Sequence, residues 1–507
     1  MLILMGGGND VDVDVHHSTT FLVIIKSTSC SVVDRHTALQ SIQTEMEAEL
    51  KELRHTFESG KTRSPEWRKS QLKALLNLVH ANQQDMFDAL NHDLGKHHVE
   101  SYRDEVGLLI KSIKYILNNL DQWMKTKKVF VVYQISLPPV AFPSTAELVP
   151  EPLGLVLVIS SWNLPMGLSL EPLIGAIAAG NVVVLKPSEL APASSSFLAK
   201  TLPMFLDNKA IKVVEGSQQV GRLVMAAAAK HLTPVTLELG GKCPAVLDTL
   251  TSSRDIAVNR ILGSKFGSCC GQVCLAIDYL LVEEKFAPEL IDLLKTGIKK
   301  MFGERPLETK TLARIVNQKH FSRLKGFLSD PMVEASVVYG GSLDEKTLYI
   351  EPTLLVNPPL DSCIMTEEIF GPVLPIITLN KIEDSVKFIS SRPKPLALNV
   401  FTHNETLKRR IISETSSGSI TFNDAVIQYL CDTVPFGGVG QSGFGRYHGK
   451  FSFDTFSHEK PVVRRGYLVE YWFRYPPWNN DKFELLKRAL AMDYLGFLLI
   501  LLGLRKN

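Results

Sequence analysis

Apolar and polar positions change rhythm near residue 151. From Glu45 to Leu120 they recur with helical spacing: Leu72, Leu75, Leu76 and Val79 share a face, and Ser64-Pro65 offers a cap and a first-turn proline. Such a stripe predicts packing rather than chemistry. Residues 127–146 read as extended, with Val129-Phe-Val-Val-Tyr133 running into proline-rich turns. After Glu151, short apolar runs alternate with helical stretches, as in a parallel sheet. Strands are predicted at 154–160, 182–185, 211–214 and 235–239, and helices at 169–179, 191–206 and 218–231. This is a doubly wound, Rossmann-like α/β arrangement, although a plain G-x-G-x-x-G is absent. From 242 to 417 the alternation resumes as a second α/β unit, and no internal repeat interrupts it.

Composition narrows the function classes. The chain has 507 residues, 45% of them hydrophobic, enough for several domains. Lys plus Arg total 55 against 53 Asp plus Glu, a net charge of +2, so a nucleic-acid partner is not expected. Seven scattered cysteines, with no C-x-x-C pair, suit reduced thiols in a cytoplasmic or cytosol-facing compartment rather than a disulfide framework or a metal site.

The two ends differ from the rest. Residues 1–42 carry Gly6-Gly7-Gly8, Asp10, Asp12 and Asp14, then an apolar patch from Phe21 to Ile25. The early acidity argues against a transit peptide and the patch is short for a secretory signal, so a disordered extension is predicted. The run Tyr494–Leu504 is almost entirely apolar. As a helix it covers ~16 Å of a hydrocarbon core ~30 Å thick, too little for a span. It fits either a membrane interface, such as the endoplasmic reticulum face, or the protein's own surface.

Polar residues cluster where strands end, the edge at which α/β folds place ligands. Cys274, in Gly271-Gln-Val-Cys274, is a candidate nucleophile, though a Cys beside Val and Leu, taken alone, is more often a small core residue. Cys269 and Cys270 lie close by. Glu238, in Leu237-Glu-Leu-Gly-Gly-Lys242, could be a general base if partly buried, or could simply pair with Lys242. Asn163 follows the first strand and could offer its amide to an oxyanion. Lys186 and Glu189, in Leu185-Lys-Pro-Ser-Glu189, could bind ribose hydroxyls.

Together these segments resemble the aldehyde dehydrogenase superfamily, most closely its class 3, fatty-aldehyde, plant-like type, from about Leu53 to Lys460. The resemblance rests on Glu151-Pro-Leu-Gly154, Ser161-Trp-Asn-Leu-Pro165, the Leu185, Leu237 and Gly271 motifs above, Glu368-Ile-Phe-Gly-Pro372 and Pro435-Phe-Gly-Gly-Val-Gly440, in family order. It implies NAD-dependent oxidation of an apolar aldehyde to its acid, with NADP as a second option and no metal. Cys274 would be the nucleophile, Asn163 and the Cys274 N–H the oxyanion donors, and Glu238 the base, with Glu368 its rival. Lys186, Ser188 and Glu189 would hold the adenosine ribose, Ser217 the pyrophosphate, and Glu368 and Phe370 the nicotinamide end. The implied organisation is an NAD-binding domain at 43–126 and 147–236, a catalytic domain at 237–417, bridging segments at 127–146 and 418–460, and a tail at 461–507. The bridging β arm favours a homodimer.

The chain departs from the family pattern at two places. Cys270 stands where an Asn is usual. Between Gly216 and Ser217, a helix and a strand of the family plan are missing, roughly twenty residues at average element lengths. The expectation is a sheet one strand short, with strand 211–215 running almost directly into helix 218–231. NAD binding would then be weak, because Glu215 also faces the phosphates. Two further readings follow, a catalytically impaired splice-type chain that acts as an interaction subunit and a cofactor-free thiol esterase.

Overall fold

The computed structural model describes the backbone of residues 2–5 and residues 46–129, 141, 143–214, 228–250 and 252–504. The chain divides into two compact units, Met1–Leu120 with Pro152–Phe456, and Asp121–Glu151 with Ser457–Asn507.

The first unit holds two sheets. One contains β1 (Leu2–Met5), β2 (Leu155–Ile159), β3 (Val182–Lys186), β4 (Ile211–Val213) and β5 (Val235–Glu238). Their spatial order is β5-β1-β2-β3-β4, all parallel, and the short Gly443–Phe444 strand adds antiparallel to β5. Strands β2 and β3 are runs of Val, Leu and Ile because helices cover their faces. The helix Gly167–Ala179 is buried all round, as its nearly uninterrupted apolar sequence requires. It ends at Gly180, whose φ of 91° and close approach to the Arg68 guanidinium leave no room for a Cβ.

The strands and helices expected between 154 and 214 and at 235–239 are present within a residue or two. Two expectations are overturned. Residues 1–42 are not wholly an extension outside the fold, because Leu2–Met5 forms a strand. The sheet is not one strand short either, because that strand lies between β2 and β5. Of the helix expected at 218–231, residues 228–231 are helical and the remainder, like Glu215, Gly216 and Ser217, lies outside the described residues.

The second sheet contains β6 (Pro244–Leu247), β7 (Tyr279–Glu283), β8 (Val337–Tyr339), β9 (Thr353–Val356), β10 (Val373–Leu379), β11 (Ala397–Phe401) and β12 (Ser419–Phe422). Their order is β8-β9-β10-β7-β6-β11-β12, parallel except for β8. Apolar clusters cover both of its faces.

In the second unit, the strands Lys127–Val129, Thr145–Pro152 and Ser457–Arg464 form one small sheet. The extended stretch 127–146 is therefore strand at both ends, while 130–140 lies outside the described residues. The tail helix Tyr494–Leu501 buries Phe497 against Phe473, Leu485 and Ala489, yet Leu495, Leu498, Leu502 and Leu504 stay exposed. No helix among the described residues is long and apolar enough to cross a membrane.

Candidate active site

The loop carrying Cys274 takes a backbone course that its sequence alone would not suggest. Cys269, Cys270 and Gly271 all have positive φ, at 44°, 53° and 78°. A Cβ on Gly271 would lie 2.5 Å from the Gly371 carbonyl oxygen, so only glycine fits there. The two cysteines hold a conformation disfavoured for side chains with a Cβ, and neighbours must fix it. Glu100 accepts from the Cys269 N–H at 2.6 Å. The fully buried Gln272 amide donates to the carbonyls of Cys269 and Arg314 at 2.9 and 3.0 Å, and its oxygen accepts from Val316 N at 3.1 Å. Cys270 itself packs into the apolar core beside the second sheet.

Cys274 is buried, and its thiol lies close enough to the carboxyl of Glu238, which ends β5, for the two to shift one another's proton affinity. Tyr447 donates to the same carboxyl, Oη to Oε2, at 3.3 Å. Burial pushes the Cys274 thiol well above its ordinary range, and the nearby Glu238 and Glu368 add to the shift. Burial also raises Glu238, against the opposing pull of the nearby Cys274 thiol and the Tyr447 hydroxyl. The resting pair is thus a protonated thiol beside a carboxyl with a raised proton affinity, which makes proton transfer between them less uphill than in water. The bland alternative, Glu238 paired with Lys242, is not what forms. Lys242 instead bonds Asp278 and the carbonyls of Ile364 and Glu367, at 2.8 and 2.7 Å for the carbonyls.

Glu368 joins the same region through the turn after β5. Its carboxyl lies against the Gly240-Gly241 turn, where a Cβ on Gly240 would come within 2.9 Å of both its oxygens. Burial, with Asp278 adding like charge, lifts Glu368 to about 8. Because that lies above the unfolded value of ~4.3, the folded state keeps a proton that the unfolded chain releases over this interval. The stabilisation is complete below the ordinary carboxylate range and is lost as pH rises toward about 8. Glu368→Gln is permanently neutral and keeps the shape of the side chain. Its melting-temperature advantage over the parent should therefore grow between mildly acidic and mildly alkaline buffer, by ~3 °C or more. A difference that stays constant with pH would count against a proton on this carboxyl.

The Asn163 loop is held by a buried ion pair. Lys96 Nζ lies 2.7 Å from Glu105 and donates to the Asn163 carbonyl at 2.9 Å. The other Glu105 oxygen accepts from Met166 N and Gly167 N at 2.9 and 3.0 Å, at the start of the helix Gly167–Ala179. Negative charge at a helix N-terminus is favourable, so one carboxylate serves two purposes. Trp162, next to Asn163, meets Phe370 edge-on with ring centroids 5.3 Å apart, tying this loop to the one bearing Glu368.

At the carboxyl end of β3, Lys186 pairs with Glu189 Oε2 at 2.8 Å. Glu189 Oε1 is buried with no hydrogen-bond partner, an acceptor suited to a ribose hydroxyl. Ser188 is buried and its hydroxyl accepts from Leu190 N at 3.4 Å. These residues fit the adenosine end of a dinucleotide. Ser217, expected at the pyrophosphate, lies outside the described residues. Among the described residues no group of three or more His, Cys, Asp or Glu side chains is placed to hold a metal ion. Tyr447 and Gln272 were not anticipated. Tyr447 follows Glu238 by more than two hundred residues, and no local pattern joins them.

The aldehyde dehydrogenase family profile matches residues 35–216 and 202–462. The chain belongs to the aldehyde dehydrogenase family. The two matched stretches overlap at 202–216, and the first ends at Gly216. Family 3 member F1 of Arabidopsis thaliana is 52% identical over 490 residues, covering 92% of this chain and 100% of that one. Family 3 member A2 of Rattus norvegicus is 40% identical over 471 residues, covering 89% and 95%. The substrate-bound structure of Staphylococcus aureus AldH superposes with a TM-score of 0.83 at 38% identity, covering 88% of this chain and 99% of that one. The protein is accordingly an NAD(P)-dependent aldehyde dehydrogenase of the class 3, plant-like group, with an α/β fold and an aldehyde as substrate.

Proposed function

We propose that this aldehyde dehydrogenase oxidises apolar aldehydes, of medium or long chain or aromatic, to carboxylic acids, with NAD preferred. The observation that carries the mechanism is the burial of the Cys274 thiol beside the buried Glu238 carboxyl, each raising or lowering the other's proton affinity. Glu238 takes the thiol proton as Sγ bonds to the aldehyde carbon. The Asn163 amide and the Cys274 N–H donate to the oxygen of the resulting thiohemiacetal. A bound nicotinamide supplies the hydride acceptor that turns this adduct into a thioester. Glu238 releases the thiol proton to solvent and then takes one from water as the hydroxide adds to the thioester carbon. Collapse of that adduct expels the Cys274 thiolate, which takes the proton back from Glu238 as the acid leaves. Glu238 is favoured over Glu368 as the base because it acts more strongly on the thiol. Glu368 and Phe370 are assigned to the nicotinamide end, and Lys186, Ser188, Glu189 and Ser217 to the adenosine ribose and phosphates. Met166, Leu164 and Leu168 are buried near Asn163 and suit an apolar substrate.

The test is growth of reduced-nicotinamide absorbance with hexanal and NAD. Nitrophenyl acetate cleavage without dinucleotide, in the absence of any dehydrogenation, would instead favour the thiol esterase reading. Preference for NAD rests on the unpartnered Glu189 Oε1, which suits ribose hydroxyls and opposes an added phosphate. Glu189→Gln should lower the NAD:NADP ratio of kcat/KM by ~10-fold or more, the worth of one charged hydrogen bond. An unchanged ratio would remove Glu189 from cofactor choice.

The domain plan given by the family resemblance, a cytoplasmic location and a homodimer built through the bridging segments complete this reading. The exposed leucines of residues 494–504 support contact with a membrane surface.

A further inference from the structure

The strand β1 occupies the middle of the dinucleotide-type sheet, yet it precedes both of its neighbours by at least 150 residues in the chain. Leu2, Ile3 and Leu4 stand opposite Leu157, Val158 and Ile159 of β2. On the other side, Leu2, Ile3, Leu4 and Met5 stand opposite Val235, Thr236, Leu237 and Glu238 of β5. Ile159 of β2 and Leu237 of β5 share a small apolar cluster, but among the described residues no strand pair links β5 to β2, so without β1 the hydrogen-bonded ladder separates into β5 with its short partner and β2-β3-β4. The chain winds outward from β2 through β3 to β4 and then crosses back to β5, which puts β1 at the reversal of winding. That is where doubly wound folds form their ligand crevice.

We infer that residues Leu2–Met5 replace the strand lost at the Gly216–Ser217 junction and act as the spacer that positions the two halves of the active site. The carboxyl end of β2 leads into Asn163 and that of β5 carries Glu238, with Met5 paired to Glu238 itself. One intervening strand holds β2 and β5 ~9.5 Å apart, two inter-strand steps. If β2 and β5 paired directly they would close to ~4.8 Å, and if they stayed apart they would leave two unpaired backbone edges. Either change moves the oxyanion donor relative to the thiol and its base by several ångströms, where a displacement of about 1 Å already costs on the order of 10²-fold in rate. The strand also restores the crevice that a dinucleotide would enter, so the weak cofactor binding expected from the missing element need not follow.

Hydrogen exchange on the full chain tests this directly. A strand paired on both sides has every amide bonded, so consecutive amides from Leu2 to Met5 should exchange slowly, together with 155–159 and 235–238. Exchange of 2–5 at free-chain rates would overturn the proposal. Ile3→Pro removes a donor from the centre of a sheet, and Ile3→Val leaves the pairing intact. Ile3→Pro should lose protection at 155–159 and 235–238 while Tyr279–Glu283 in the second sheet keeps it. It should also weaken NADH binding, read by NADH fluorescence, by 10-fold or more, and Ile3→Val should match the parent on both counts. Parental protection and affinity in Ile3→Pro would also overturn the proposal. The NADH arm rests on the dehydrogenase reading and the exchange arm does not. Slow exchange of 2–5 in a chain that binds no NADH would therefore uphold the docked strand and overturn only its part in cofactor binding.

Discussion

Cys274→Ser is expected to abolish aldehyde oxidation by ~10³-fold or more, whereas Cys269→Ser and Cys270→Asn should each retain turnover within ~3-fold. The serine would keep its place beside Glu238, so the loss reads the nucleophile and not the fold. A buried thiol whose proton is held tightly still ionises far more readily than a buried hydroxyl, and the adjacent carboxyl can receive that proton. The other two thiols are placed differently. Cys269 is fixed through its backbone N–H to Glu100, and Cys270 fills an apolar core. Asn tolerates the left-handed conformation of residue 270 better than Cys does, while its amide would be costlier to bury. These effects oppose one another in stability and leave the chemistry alone. Turnover surviving in Cys274→Ser would remove the nucleophile assignment.

Glu238→Gln should split the reaction in time. The first turnover would still deliver a burst of reduced nicotinamide, since the thiol can lose its proton to water more slowly. Hydrolysis of the thioester would then stall, lowering the steady state by ~10²–10⁴-fold. Acyl-enzyme accumulating to one equivalent, seen by intact-mass spectrometry, is the signature. Because burial raises the Glu238 carboxyl, the parent's rate should climb with pH above the ordinary carboxylate range, as the base must first lose its proton. The variant should lack that limb. If Glu238→Gln turns over normally and Glu368→Gln is the one that accumulates acyl-enzyme, the base is Glu368.

What could be read from the sequence was local. Runs such as Val182–Lys186 announce buried strands by composition, and the residues that follow them reach the ligand edge of the sheet by the rule of the fold. The role of Glu238 was open because its place in the sequence suited either a general base or an ion pair with Lys242. Lys242, four residues away, turned out to belong to Asp278, and Tyr447, far along the chain, took its place. The left-handed course of Cys269 and Cys270 had no glycine to announce it. The strand Leu2–Met5 is the strongest case. A short apolar run carries no mark of its partners when they lie at least 150 residues away, and register is decided only once both edges exist.

That separation has a consequence during synthesis. The segment Leu2–Met5 leaves the ribosome long before either edge it joins, and β5 follows more than two hundred residues later. At ~5–20 residues per second the wait is on the order of 10–50 s. Through that interval β2, β3 and β4 can assemble with an open side, a template that any extended apolar segment could occupy. Closing the sheet is therefore a late, long-range event, and crowding or slow elongation acts on the yield of active enzyme rather than on its final stability.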